Sequence, residues 1–467
     1  MDVELSTMRA RSPHPPDEPV TPAATIDEGK RTEYVEAKPA EGSQSSHTPA
    51  TTFTASTPAS RRKARIQFIT LCWTLFLAGW NDGTTGPLLP RIQSVYHVGF
   101  AVVSLIFVFN CVGFVSGAAA NIWLTDRLGF GTVMVIGASA QVIGYALEAP
   151  APPFPVFVLG YAVNGFGLSL QDAGANGFVA SLKENAATKM GILHAIYGAY
   201  ITSKGVGVGA LSSPLVATQF AQLSYWSFHY LVSLGIALSN AIILIAVFRF
   251  KTQDACLAEI GQMPSHESGN EDGDANKYRQ MFKLRVLHLM AFFILIYVGV
   301  EVTLGGWIVT YVIQLRGGGP SSGYISSGFF GGLTLGRVGL LWVNQKVGER
   351  RAIFLYGVLA VALELVIWLV PSLIGGGIAV SFVGVLLGPI YPIVMNHAGR
   401  VLPPWLLTGC IGWIAGFGQA GSAFLPFLTG ALASRVGIKS LQPLLVSMMG
   451  FMIVLWALVP NNPRRVD

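Results

Sequence analysis

Charge is what this sequence has least of. Only 12% of its residues are charged, about half the ~25% of an ordinary soluble domain. A chain so poor in charge does not present a large water-facing surface, which excludes a soluble enzyme or scaffold. Cysteine is scarce too. Cys72, Cys111, Cys256 and Cys410 include no C-x-x-C pair, so neither a disulfide framework nor a zinc site is expected. There is no H-E-x-x-H and no nucleotide P-loop, which argues against metalloenzyme chemistry and against an ATP-driven pump. No enzyme activity, cofactor or metal is expected. No secretory signal opens the chain. Its first ~60 residues are rich in Ser, Thr, Pro, Glu and Ala and read as a disordered tail.

What the sequence does have is apolar length. It is 52% hydrophobic with a mean hydropathy of +0.54, and apolar runs of about 20 residues recur after Arg65. They predict twelve spans: 66–90, 100–123, 131–149, 155–182, 189–216 and 227–249, then 286–314, 322–345, 351–370, 373–398, 404–433 and 440–460. The expected fold is an all-α membrane protein of twelve transmembrane helices in two six-helix halves. The expected organisation is a tail over 1–65, a first half over 66–250, a linker over 251–285, a second half over 286–460 and a short tail over 461–467. The 54 glycines suit close helix contact in a membrane.

Orientation follows from the basic residues. Arg61, Arg62, Lys63, Arg65, Arg127, Lys183, Lys189, Lys346, Arg350, Arg351, Arg400, Arg464 and Arg465 fall on one side with the linker. Arg91, Arg316, Arg435 and Lys439 fall on the other. The first side is therefore expected to be cytoplasmic, with both termini. The net charge of +6 flanks apolar runs and forms no groove-like cluster, so the partners expected are a lipid bilayer, a small solute and protons, not nucleic acid. The plasma membrane is expected first, an internal organelle second.

A repeat is visible at a shift of 219 positions. Gly113 falls on Gly332, Gly117 on Gly336, Gly129 on Gly348, Trp123 on Trp342 and Gly86 on Gly305. The same shift lays Asp82 on Glu301 and Arg127 on Lys346. Two parallel halves place a transporter's site between them near the membrane midplane.

Polar residues inside the apolar runs are the candidates for that site. A charge in hydrocarbon costs roughly 2.5–3.5 kcal/mol on insertion scales, so it marks water, a partner or a ligand. Asn81-Asp82 interrupt the first span. Asp172 and Asn176 lie four apart in the fourth, on one helix face. A buried carboxylate beside an amide suits a sugar hydroxyl network or a proton site. His194 and Tyr197 share a face of the fifth span, and Trp307 and Tyr311 a face of the seventh, where aromatic rings could stack on a sugar. Glu301, as the repeat mate of Asp82, is a third functional acid. Arg337 is a candidate for pairing with Glu301, for gating or for an anion, and Gln419 is a possible ligand. Pro389 and Pro392 break the tenth span around Tyr391. Lys204 reads as a salt-bridge partner of a carboxylate, and Glu364 is expected to face a neighbouring helix and is assigned no role.

Two stretches carry a family resemblance. Leu124-Thr-Asp-Arg-Leu-Gly129 resembles the loop signature of the major facilitator superfamily. The resemblance implies that Asp126 and Arg127 form part of a cytoplasmic gate latch. Ile122, Phe130 and Gly131 depart from the family pattern. Asn81-Asp82, together with Leu170-Gln-Asp-Ala-Gly-Ala-Asn-Gly-Phe-Val179, resembles the fucose:proton symporter family of that superfamily. There Asp82 and Asp172 would take the positions implicated in proton coupling and sugar contact. Asp172 stands where the family often has Glu, and Gly177 where it has Pro. The function this implies is proton-coupled symport of a monosaccharide or similar small solute. The alternatives are an uncoupled facilitator, an exporter of another solute and a non-transporting nutrient sensor.

Overall fold

Long α-helices joined by short turns account for most of the chain. The structure, a computed structural model, describes residues 57–198, 200–202, 205–207, 209–262, 279–403 and 406–460, with side chains excluded at 187, 195–198, 200–202, 205–207 and 408. Most of the N-terminal tail, Lys204, part of the linker and the last seven residues lie outside these.

The first helix, α1 (Pro58–Tyr96), starts eight residues before the expected 66. Its start is set locally: Pro58 sits in the first turn, and Thr57 caps it by accepting from the Ser60 amide at 3.2 Å. It runs through Pro87 and Pro90 and ends at His97 in the left-handed region. There follow α2 (Phe100–Val103), α3 (Leu105–Leu128), α4 (Phe130–Glu148), α5 (Phe154–Ala180), α6 (Ala186–Gly198), α7 (Gly209–Ala221), α8 (His229–Phe248) and α9 (Gln253–Ala258). The second set is α10 (Arg285–Leu315), α11 (Tyr324–Gly339), α12 (Leu341–Val347), α13 (Glu349–Leu369), α14 (Leu373–Leu387), α15 (Ile390–Val401), α16 (Leu407–Val436) and α17 (Leu441–Leu458).

Among the described residues, nine helices are long and apolar enough to cross a membrane. The other three expected spans differ for separate reasons. Residues 66–90 lie in α1, whose polar stretch Asn81–Thr85 dilutes its hydropathy. Residues 189–216 are divided between α6 and α7, where Tyr200–Thr202 pairs antiparallel with Gly205–Gly207. The glycines at 205, 207 and 209 weaken helix there. Residues 322–345 break at Leu340, between α11 and α12.

Close helix contacts repeat 219 residues apart. A Cβ at Gly113 or Gly117 would strike the carbonyl of Ala162 or Phe166, binding α3 to α5. A Cβ at Gly332 or Gly336 would strike the carbonyl of Ser381 or Val385, binding α11 to α14. All four pairs keep the 219 register. Arg127 lies over Trp123 at 4.5 Å, and its mate Lys346 over Trp342 at 4.0 Å.

The ends of the helices away from the linker (the distal side) bring the two sets together. Gly86 of α1 meets the backbone of its own repeat mate, Gly305 of α10. Gly306 rests against the Phe107 ring, and Gly430 against Ser104 and the Phe100 carbonyl. The Ala101 amide donates to Ser434 Oγ at 2.8 Å, and Gln219 reaches Tyr324. A Cβ at Gly177, Gly191, Gly399, Gly412 or Gly416 would meet nothing within 4 Å. The two sets are in contact at their distal ends.

The described start of the linker packs against the first set. Leu257, Ile260 and the wholly buried Cys256 join a core with Leu71, Cys72, Phe178 and Phe248. Glu259 pairs with Lys63 at 2.8 Å and with Lys251. Burial opposes its charge, but these two lysines outweigh it and hold the Glu259 carboxyl below the usual range.

Candidate functional site

The middle of α1 is stitched to its own set. Trp80 donates to Ser233 at 2.9 Å and stacks on His229. Thr84 hydrogen-bonds Ser213 at 2.7 Å and His229 at 3.0 Å. Between them, Asn81 Oδ1 accepts from Asn164 at 2.7 Å and from the Tyr145 hydroxyl at 3.3 Å. Asn81 is buried and in this conformation holds α1 to α4 and α5. Asp82, one residue on, is half-buried and engaged with a neighbour.

On α5 the carboxylate and amide meet as their spacing requires. Asn176 Nδ2 donates to Asp172 Oδ1 at 3.1 Å, and both side chains are half-buried. Asn176 Oδ1 has no hydrogen-bond partner among the described residues. Gln171 points the other way. It donates to the Met134 carbonyl at 3.2 Å and accepts from Asn240 at 3.3 Å, and Asn240 in turn accepts from Thr74 at 2.9 Å. These neutral bonds fix the helix and leave Asp172 facing the cleft.

The second set supplies the opposite wall. Arg337 Nη2 of α11 lies 3.7 Å from Glu301 Oε1 of α10. The Tyr297 hydroxyl, one turn before Glu301, donates to the Leu387 carbonyl at 3.1 Å and lies beside both charges. Tyr391 stands at the start of α15, just after the break at Pro389. The charges of Asp172, Arg337 and Glu301 all reach its hydroxyl. From the first set, His194 is exposed to the cleft and within the field of Arg337. Five helices thus bring Asp172, Asn176 and His194 opposite Glu301, Arg337 and Tyr391. Tyr297 and Tyr391 were not assigned roles from sequence. Their signals were the i−4 spacing of Tyr297 from Glu301 and the paired prolines around Tyr391.

Other expected site residues sit elsewhere. Trp307 is fully buried, donates to the Pro426 carbonyl at 3.1 Å and packs on Phe100 and Phe107. Tyr311 is buried and accepts from Arg316 at 3.0 Å. In this conformation Trp307 is packed against the first set through Phe100 and Phe107, and Tyr311 is held within the second set by Arg316. Gln419 is half-buried, and its carbonyl accepts from Cys111 at 3.5 Å across the two sets. Asp126 and Arg127 are exposed, and Asp126 makes no ion pair among the described residues. At the corresponding end of the second set Glu349 pairs with Arg400. The Tyr197 side chain lies outside the described ones. Gly319-Pro-Ser-Ser-Gly323 has the G-x-S-x-G spacing of a hydrolase nucleophile. It forms a 3-10 turn between two helices, however, not a strand-to-helix elbow.

Two repeated helix sets with a polar cluster between them define a membrane transport protein. The chain belongs to the Major Facilitator Superfamily, whose sequence model matches residues 71–404. It is an integral multi-pass membrane protein of a transporter family, and its work is not enzymatic. Among relatives, "Bypass of stop codon protein 6" of Saccharomyces cerevisiae is 26% identical over 415 residues, 84% of this chain and 82% of that protein. A "Glucose/galactose transporter" of Brucella abortus is 24% identical over 394 residues, 81% of this chain and 90% of that one. Among solved structures, a D-xylose-proton symporter superposes with a TM-score of 0.69 at 12% identity, covering 85% of this chain and 98% of its own. The E. coli fucose:proton symporter FucP superposes with a TM-score of 0.58 at 16% identity, covering 85% and 98%. These likenesses show the shared fold.

Proposed function

We propose that this protein is a proton-coupled symporter of a monosaccharide or a similar small polar solute, working by alternating access across twelve spans. The observation that carries the reading is the cluster between the sets, where Asp172–Asn176 and His194 face Glu301–Arg337 and Tyr391. It combines a carboxylate free to exchange a proton with amide, imidazole and phenol groups that bind hydroxyls. Arg337 is engaged with Glu301, which favours a neutral solute over an anion. The names of the relatives, glucose/galactose, D-xylose-proton and fucose:proton, support the same class.

With the linker side taken as cytoplasmic, the distal contacts support reading this as a state closed to the outside. Distal closure at Gly86–Gly305 and Gly430–Ser104 then seals the outside, and a rocking motion would separate those contacts. Asp82 and Asp172 are the proposed proton carriers. Asp126 and Arg127 form a latch for the opposite state, which explains why Arg127 rests on Trp123 here.

The test is uptake of a radiolabelled monosaccharide panel into proteoliposomes, with and without an inward proton gradient. The gradient should drive accumulation of at least one sugar, with external alkalinisation. Asp82→Asn and Asp172→Asn should each abolish accumulation while leaving counterflow exchange. Accumulation that survives both substitutions refutes the coupling assignment. Flux without alkalinisation makes the protein a facilitator.

A further inference from the structure

A second cavity lies on the distal face, between the end of α1 and the end of α10. Its volume is ≈ 420 Å³, at the small end of the ~300–1,000 Å³ typical of ligand sites. Gln93 and Ser94 line one side, Thr310 and Gln314 the other, with Phe100 and Ile313 between. No Asp, Glu, Lys, Arg or His contributes to the lining. Thr310 is fully buried, and its hydroxyl has no hydrogen-bond partner among the described residues. A buried hydroxyl left unpaired is unfavourable, and a ligand hydroxyl would satisfy it. The Phe100 ring is fixed by Trp307, with centroids 5.9 Å apart.

Two amides, two hydroxyls and an anchored aromatic ring, with no charge, match one ligand class. An ion placed there would lose water without gaining a counter-charge. A small neutral polyhydroxylated molecule would hydrogen-bond the amides and hydroxyls and lay an apolar face on Phe100. Thr310 is nine residues beyond Glu301 on α10, or roughly 14 Å along the helix, so the cavity is separate from the central cluster. Its walls come from both sets, so it exists as one site only while the distal ends are closed.

We propose that this cavity is a second solute site, binding a neutral sugar or polyol and holding the distal side shut. The solute class rests on the transport reading above; the site itself does not. By linkage, a ligand that binds one conformation shifts the population toward it. Solute on the distal side would then slow the return to the opposite state, and uptake would fall again at high external concentration.

The test uses the full chain in nanodiscs with Ser94→Cys as reporter and fluorescein maleimide at neutral pH. The wild type is the blank. Cys72, Cys256 and Cys410 are buried and Cys111 is half-buried, and burial pushes the Cys256 thiol up to about 11. The probes are D-glucose, D-galactose, L-fucose, D-xylose and sorbitol. At least one should slow labelling, by about threefold at twice its Kd. The protection should persist in Asp172→Asn/Glu301→Gln, where the central cluster is impaired. It should vanish in Gln93→Ala/Thr310→Val and survive in Thr310→Ser, which keeps the hydroxyl. Failure of every probe to slow labelling overturns the site. So does protection that disappears with the central substitutions, because labelling would then report the central cluster. Uptake separates the two ideas. Protection without uptake keeps this site and sinks the sugar-transport reading. Uptake without protection does the reverse.

Discussion

Gly86→Ala should shift this protein between conformations without weakening either half. A methyl at position 86 would strike the Gly305 carbonyl and lie 3.3 Å from Ser326 Oγ. Both neighbours belong to the second set, so only the distally closed state suffers the clash. The obstacle is backbone, which cannot rotate away as a side-chain tip would. Overpacking of this kind costs about 1–3 kcal/mol, which is roughly a 5- to 160-fold change in the ratio of closed to open. Alanine also favours helix over glycine by up to about 1 kcal/mol, but that gain acts in both states and cancels. The control is Gly113→Ala, whose methyl strikes the Ala162 carbonyl within the first set. It should lower stability and leave the conformational ratio alone. Spin labels at Ser94→Cys and Leu315→Cys, on the distal ends of α1 and α10, read the ratio by pulsed dipolar distance measurement. Gly86→Ala should populate a longer distance and Gly113→Ala should not. If Gly86→Ala loses thermal stability like the control while its distance distribution stays put, the α1–α10 contact is permanent and alternating access does not separate these helices.

Three more outcomes follow from particular contacts. Asn81→Ala removes the acceptor of Asn164 and Tyr145. It should cost about 1–3 kcal/mol and lower the melting midpoint in detergent; an unchanged midpoint would mean the network is not structural. Tyr391→Phe deletes the hydroxyl facing Asp172, Glu301 and Arg337. Loss of one hydrogen bond to solute should raise KM about 5- to 10-fold at unchanged melting temperature, and an unchanged KM removes Tyr391 from the site. Glu259 holds α9 to the first set through Lys63 and Lys251, and its carboxyl is depressed. A depressed acid contributes stability above its unfolded value, ~4.3, and loses it as pH falls through the lower folded value. Hydrogen exchange of residues 253–258, corrected for intrinsic rates, should therefore be flat near neutral pH, accelerate as pH falls from ~4.3 toward the lower folded value, and level off below it. Glu259→Gln should show the faster exchange already at pH 7, and equal protection in mutant and wild type there would refute the clamp.

How far the sequence could be read depended on whether a feature belonged to one helix or to several. Apolar runs and the 219-residue glycine register are read along the chain itself, but the partners those glycines meet, Ala162 for Gly113 and Ser381 for Gly332, appear only in the packing. The Asp172–Asn176 bond was legible, because four residues is one helical turn. The shared face of Trp307 and Tyr311 was also legible, but not what it would face. Only packing shows that Trp307 meets Phe100 and Phe107 of the first set while Tyr311 meets Arg316 of its own, and that Glu301, earlier on the same helix, meets Arg337. Asn81 has the same history: an amide in an apolar run signals a partner, and here the partners are Asn164 and Tyr145. Tyr391 was readable as a helix break and not as a neighbour of Asp172, since 219 residues separate them in sequence. The distal cavity is the extreme case, with Gln93 and Thr310 drawn from different sets and neither unusual alone. Sites between halves are therefore the part of such a transporter least visible in one sequence. They form where two repeats meet, and the meeting changes with each step of the transport cycle.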